Sequence, residues 1–493
     1  MGTGGVGWAW LKRSPLAHAV RKGIGVTTNH ILCLQGNLAG NKRTVANHRI
    51  AMQFPSDFLW GAATASYQIE GSPLADGAGV SIWHRFSHTP GAILNGDNGD
   101  VACDHYRRWQ EDIEWMRRLG LNAYRFSVAW GRVLPSGRGA VNQRGLDFYK
   151  RLVDGLLGAG ITPMLTLYHW DLPADLQDCG GWANRDCAKW FADYACLMFR
   201  QLGDRVNLWA TINEPWVVMA LGYLWGQHAP GMRDIGAAAK AGHHMLLGHG
   251  KAVQAFRAED MPNAQIGIVT NLGPQQPASD SPQDQIVAAL WHGFINRYFL
   301  DPIFRGEYPD TVINFIGEFA PEAASDDMPT IQTPIDFIGV NYYTRNVIAY
   351  DAADPIGSRT VHQEGKLHTE MGWEVYPEGL YEILKWLHEE YGSIPLYITE
   401  NGAAFPDAPN AQGEVDDPLR VEYLRAHLEQ AHRAIQDGVP LRGYFYWSLM
   451  DNFEWAFGYS KRFGLLYVDF ATQQRLMKSS GRWYADFIAQ QRS

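Results

Sequence analysis

A single α/β unit folded as a closed (β/α)8 barrel of the TIM type, with long loops at the C-terminal face of the strands, is predicted by three observations. From Phe54 onward, short β-branched or aromatic runs alternate with segments of helical periodicity. Strand candidates begin near Leu59, Asn122, Pro163, Val206, Ile266, Ile335, Pro395 and Leu441. Parallel strands need crossover helices, and eight strands alternating with helices close a barrel. The third observation is size: 493 residues with 46% hydrophobic content can fill one large core, and no linker divides the chain.

The head, residues 1–51, carries seven Lys or Arg and no Asp or Glu. Gly2-Thr3-Gly4-Gly5-Val6-Gly7 matches GxGxxG, but no strand precedes it, so the match is read as accidental. Ile31–Leu34 is too short for a signal-peptide core. The head is therefore expected to be a disordered basic extension, or sequence translated ahead of a start at Met52; targeting is the alternative. Residues 52–493 are expected to form one domain.

Strand one is read as the run Phe58–Gly71, with a long loop, Ser72–Asp100, behind it. Tyr106, Trp109, Ile113, Met116 and Leu119 then repeat at helical spacing, and Gly120 stops that helix. Strand two gives Tyr124-Arg125-Phe126-Ser127. The next helix places Leu146, Tyr149, Val153 and Leu156 on one face, with Gly160 as its stop. Strand three ends in Tyr168-His169-Trp170-Asp171. Strand four ends in Asn213-Glu214 before Pro215. Proline biases the residue ahead of it away from the helical region, so Glu214 is expected to be extended, to cap a strand and not to open a helix. His243, His244 and His249 lie on a helical pattern with no matching Cys or carboxylate spacing; they are read as packing, and no metal is expected. Strand six ends in Asn341-Tyr342-Tyr343 and leads into the loop Arg345–Lys366. Strand seven ends in Glu400, where Asn401-Gly402 turns the chain into the loop Ala403–Pro418. Strand eight leads through Trp447 to Trp455.

The formal net charge of −10 argues against nucleic acid as a partner. Five Cys form no paired framework, which suits a reduced cytoplasm. Without an apolar run of about 18 residues, no membrane span is expected. No cofactor is expected, and association into a homo-oligomer is left open.

Barrel active sites sit where the strands end. Glu214 and Glu400 at the ends of strands four and seven can face one another across a pocket, the arrangement that cleavage of a glycosidic bond requires. A sugar offers hydroxyls in its plane and C–H groups on its faces. Amides, imidazole and carboxylate answer the first; tryptophan faces answer the second.

On seven motifs in order the chain resembles the glycoside hydrolase family 1 β-glucosidases. They are FLWGAATASYQIEG (58–71), YRFSVAW (124–130), YHWDLP (168–173), TINEP (211–215), GVNYY (339–343), ITENG (398–402) and WSLMDNFEWAFGYSKRFG (447–464). The resemblance covers Phe54 to the C-terminus and departs at the head. It implies retaining hydrolysis of terminal β-D-glucosyl residues in cellobiose, short cello-oligosaccharides and aryl β-glucosides. Galactosidase and fucosidase side activity is expected beside it. Glu400 would be the nucleophile and Glu214 the acid/base, with carboxyls about 5–5.5 Å apart. Arg125, Asn341 and Tyr343 would support Glu400, and Asn213 would hold the sugar 2-hydroxyl. Gln68, His169, Trp447, Glu454 and Trp455 would read hydroxyls at the closed end. Trp170 would line the reacting subsite, Phe463 would meet the sugar near its 6-hydroxyl, and Trp373 would form a platform for the leaving group. Relatives that take 6-phosphosugars use a Ser, a Lys and a Tyr. Here Glu454 and Phe463 replace the Ser and the Tyr, and only Lys461 fits. Inactive sugar-binding relatives lose one of the two glutamates, and thioglucosidases carry Gln in place of the acid; neither pattern is found.

Overall fold

The strand candidates close on themselves in the computed structural model, which describes residues 52–354 and 356–492. Eight parallel strands form the barrel: β1 (Leu59–Ala63), β2 (Ala123–Ser127), β3 (Thr162–Tyr168), β4 (Leu208–Asn213), β5 (Gln265–Asn271), β6 (Phe337–Asn341), β7 (Leu396–Asn401) and β8 (Leu441–Trp447). Each starts within two residues of its sequence expectation. β1 pairs with β2 on one side and with β8 on the other, Gly61 lying opposite Ala123 and Phe445. Nearly every strand residue is buried, as a parallel sheet covered on both faces demands.

Seven helices make the crossovers: α1 (His105–Arg118), α2 (Gln143–Gly158), α3 (Asp186–Leu202), α4 (Ile235–Ala258), α5 (Pro282–His292), α6 (Glu378–Tyr391) and α7 (Pro418–Gln436). A last helix, α8 (Ser479–Gln491), packs against α7. In α2 the buried side chains Leu146, Tyr149, Val153 and Leu156 form the expected stripe. Gly120 and Gly160 follow α1 and α2 at φ 69° and 73°, left-handed positions that stop a helix and favour glycine. No helix among the described residues is long and apolar enough to cross a membrane.

Three expectations need correction. The run Phe58–Gly71 is not one strand: β1 ends at Ala63, and Ser66–Ile69 is a helical turn, begun where the Ser66 amide donates to Ser127 Oγ. Glu214 is not extended but left-handed, φ 45° and ψ 65°, and does open a helix, with Pro215 at its first position. Proline suits that position because its missing N–H has no partner there in any case. The loop after β6 is also more ordered than expected: Asn346–Tyr350 pairs with Gln275–Pro277 and with Ser358–Thr360 in a small separate sheet. The expected extension over residues 1–51, with its GxGxxG pattern, lies outside the described residues.

His243 binds Tyr308 Oη and Asp327, His244 the Trp182 carbonyl, and His249 the Thr211 hydroxyl. All three are buried and held by hydrogen bonds, and the Asp327 carboxylate beside His243 had no signal in the local spacing. Cys103, Cys179, Cys187 and Cys196 are free thiols.

Candidate active site

Every barrel strand points its C-terminal end at one face, and there a cavity of about 590 Å³ opens. Glu214 and Glu400 both line it, from the ends of β4 and β7. So do His169, Trp170, Asn341, Tyr343, Trp373, Trp447, Glu454, Trp455 and Phe463. Of the expected set, Gln68, Arg125 and Asn213 are not part of this lining; they are fully buried behind it.

The two glutamates have unlike surroundings. Glu400 Oε1 accepts from Arg125 Nη1 at 2.6 Å, and its Oε2 accepts from the Tyr343 hydroxyl at 2.6 Å. Among the described residues, Glu214 Oε1 accepts from Asn341 Nδ2 alone, at 2.7 Å. The Asn341 amide is oriented in turn, because Thr399 Oγ1 donates to its Oδ1. Arg125 Nη2 and Asn341 Nδ2 both donate to Asn213 Oδ1, at 2.6 and 3.1 Å. That fixes Asn213 Nδ2 as the donor to His169 Nε2 at 3.0 Å. His169 Nε2 thus accepts, and Nδ1 carries the ring proton without a partner among the described residues. Trp170 Nε1 closes the set by donating to the Asn213 carbonyl.

Electrostatics follow from these contacts. Burial first, and the neighbouring Glu400 second, push Glu214 up to about 8. Glu400 is also raised by burial, but Arg125, Tyr343 and Asn341 pull against the rise. The pair therefore shares one proton near neutrality, and it resides on Glu214. Burial pushes Glu454 up to about 8 as well, with Glu400 as the lesser cause. His169 lies well below its ordinary value through burial, then the Arg125 charge, so it is neutral.

At the closed end, Gln68 Nε2 donates to the Phe453 carbonyl at 2.8 Å and approaches Glu454 Oε2 at 3.5 Å, while Gln68 Oε1 is buried without a partner among the described residues. A buried orphan acceptor costs about 1–3 kcal/mol unless a ligand hydroxyl satisfies it. Trp170, Glu214 and Trp455 all have positive φ, at 82°, 45° and 47°. Backbone strain of this kind in non-glycine residues concentrates where side-chain aim matters. Beneath the wall, Asp451 accepts from Lys478 Nζ and Arg462 Nη1, both at 2.7 Å, and Lys478 also binds Asp407. This buried set anchors the segment that carries Glu454 and Phe463.

Sequence reasoning missed Thr399, which orients Asn341. It also missed Gln227, Gln275 and Asn346, polar residues on the lining. Only the small sheet after β6 brings Gln275 and Asn346 together, and their pairing has no local signal.

The proton on Glu214 has a measurable consequence. With its pKa raised, the protonated form persists from the ordinary carboxyl range up to about 8 and is lost above it. The kcat/KM for a substrate with a poor leaving group is expected to fall as pH rises through about 8. The Glu454→Gln variant keeps that limb, and Glu214→Gln loses it. An unchanged limb in Glu214→Gln refutes the assignment. The same linkage makes folding stability decline across that window, since the unfolded chain releases protons that the folded one keeps.

Residues 50–493 match the family model described as Glycosyl hydrolase family 1. The chain is 57% identical over 439 residues to a 1,4-beta-D-glucan glucohydrolase of Thermotoga neapolitana, covering 88% of this chain and 98% of the relative. It is 45% identical over 462 residues to a bifunctional beta-D-glucosidase/beta-D-fucosidase of Bifidobacterium breve, covering 89% and 99%. Among solved structures it is similar to the family 1 β-glucosidase from Thermotoga maritima, with a TM-score of 0.88 and 56% identity over 89% of this chain and 99% of the other.

Proposed function

The chain belongs to glycosyl hydrolase family 1 and is a β-glucosidase, and from that premise we propose that it removes terminal β-D-glucosyl residues through a covalent glycosyl-enzyme. Cellobiose, short cello-oligosaccharides and aryl β-glucosides are its substrates. Glu400 attacks the anomeric carbon while Glu214 gives its proton to the departing oxygen. When Glu400 is esterified, its charge is gone and the pKa of Glu214 falls; Glu214 then takes a proton from the incoming water as the water oxygen bonds to the anomeric carbon and the ester bond breaks, returning Glu400 as the carboxylate.

The observation that carries this reading is the unequal treatment of two carboxyls on one cavity. One is held by a guanidinium and a phenol; the other is held by a single amide. Gln68, His169, Trp447, Glu454 and Trp455 read the glycone hydroxyls in this reading, Asn213 the 2-hydroxyl, and Trp170, Trp373 and Phe463 supply faces. The side activity expected on β-fucosides gains support from the bifunctional Bifidobacterium relative, and activity on β-galactosides is proposed beside it. A cytoplasmic site of action is part of the proposal, supported by the free thiols of the described cysteines.

A 6-phosphoglycosidase would need cations at the closed end. Glu454 lines the cavity there, whereas Lys461 is not among the lining residues and its ammonium sits 5.8 Å from the Phe457 ring centroid. The proton on Glu454 softens the repulsion of a phosphate but does not replace a cation. A panel of nitrophenyl β-glycosides tests the assignment: the plain glucoside is expected to turn over at least about a hundredfold faster than its 6-phosphate, the discrimination that unpaired buried polar groups impose. Faster turnover of the 6-phosphate reverses the substrate assignment, and inactivity on every β-glycoside of the panel removes it.

A further inference from the structure

A second cluster of ligand-type side chains lies outside the cavity, on the long loop after β1. His84 sits in the short helix Ile82–Ser87 and His88 caps its C-terminal end, four residues on. Asp100 reaches them from the far end of the same loop. His84 Nδ1 is 3.4 Å from Asp100 Oδ1, and His88 Nε2 is 3.1 Å from Asp100 Oδ2. We propose that His84, His88 and Asp100 bind one divalent transition-metal ion of the zinc class.

The first argument is the tautomer. His88 Nδ1 lies 2.7 Å from the His84 carbonyl oxygen, which can only accept, so Nδ1 holds the proton. In the neutral ring Nε2 would turn a lone pair towards a carboxylate oxygen 3.1 Å away, and that contact needs a proton or a cation between the two atoms. The same backbone bond is the outer contact that orients metal-bound imidazoles. The second argument is His84 Nδ1, a buried atom with no hydrogen-bond partner among the described residues.

The third is spacing. Zinc–nitrogen bonds of about 2.0–2.1 Å in a tetrahedron put ligand atoms roughly 3.3 Å apart. The two measured separations, one to each carboxylate oxygen, lie near that value, and one ligand atom from each residue lies within 4.8 Å of the others. Two imidazoles with one carboxylate favour Zn²⁺, Ni²⁺ or Cu²⁺ over Ca²⁺ or Mg²⁺, which prefer oxygen. His88 and Asp100 are 40% and 44% exposed, so water can complete the coordination.

The ion would fasten the loop and take no part in bond cleavage. Asp97 Oδ2 accepts from the Tyr459 amide and the Asn98 carbonyl accepts from the Tyr459 hydroxyl, so the Asp100 arm is already tied to the segment that follows Trp455. On the helical arm, Trp83 packs against Trp455 with ring centroids 4.4 Å apart.

Calorimetric titration of the tag-free, chelator-treated full chain with ZnCl2 tests the proposal. Wild type is expected to show a site that His88→Ala and Asp100→Asn each weaken at least roughly tenfold, since even outer-contact losses cost that much. Zinc should raise the melting temperature of wild type and of neither variant, and both variants should keep wild-type turnover of an aryl glucoside without metal. Asp100→Asn preserves the side-chain shape and decides the matter if His88→Ala folds poorly. Equal affinity and equal melting shifts in all three proteins overturn the proposal. So does the lack of both heat and melting shift at millimolar zinc, which would leave His88 as a protonated donor to Asp100.

Discussion

Glu400→Ala is expected to lower kcat/KM for a nitrophenyl β-glucoside by roughly 10⁴- to 10⁶-fold, the scale of loss when a covalent nucleophile is removed. No other group takes over its place. Arg125 and Tyr343 are donors there, and the carboxyl opposite, Glu214, holds a proton. Adding azide or formate should restore turnover, because a small anion fits the space that the truncated side chain leaves. It then attacks the anomeric carbon once, from the face that Glu400 served, and the product has inverted configuration. Proton magnetic resonance of the first product formed reads the anomer directly. A rescued product of retained configuration, or substantial unrescued activity, eliminates Glu400 as nucleophile.

Glu214→Ala carries the second-largest expected effect, and its signature is a dependence on the leaving group. An acid matters to the first step only when the departing oxygen needs a proton. Dinitrophenyl glucoside should therefore form the glycosyl-enzyme at a near-normal rate, whereas cellobiose should lose about 10²- to 10⁴-fold, the usual worth of a general acid. Hydrolysis of the intermediate slows for both substrates, since no base remains for water. Azide needs none; it should speed turnover of the activated substrate and yield a glycosyl azide with retained configuration. Equal losses on good and poor leaving groups would exclude the acid role. The opposite stereochemical outcomes of the two rescues separate the two residues without recourse to rates.

Strand positions were legible because each barrel strand is a buried β-branched or aromatic run bounded by breakers, as strands covered on both faces are. The polar residues at the strand ends were legible for the same reason: His169, Asn213, Asn341 and Glu400 interrupt runs that are otherwise apolar. Backbone conformation was not. The preference of a residue before proline is a statistical bias, and at Glu214 it yields to a bond from its own amide to the Val269 carbonyl and to the helix that Pro215 opens. Contacts between distant loops were also out of reach. Nothing local to Thr399 says that it will orient Asn341, and nothing in His84 and His88 says that Asp100 will return to them.

The buried set of Asp407, Asp451 and Lys478 couples chemistry to the order of synthesis. Lys478 stands just ahead of α8, after all eight strands, and β8 must reach β1 before the sheet has no free edge. A chain made only as far as Glu214 and Glu400 still has an open sheet, and Asp407 and Asp451, which Arg420 and Arg462 also contact, are not yet bridged by Lys478. The pocket is therefore completed only once the chain through Lys478 has been made, and removal of Lys478 together with α8 will be punished in the pocket as much as in the core.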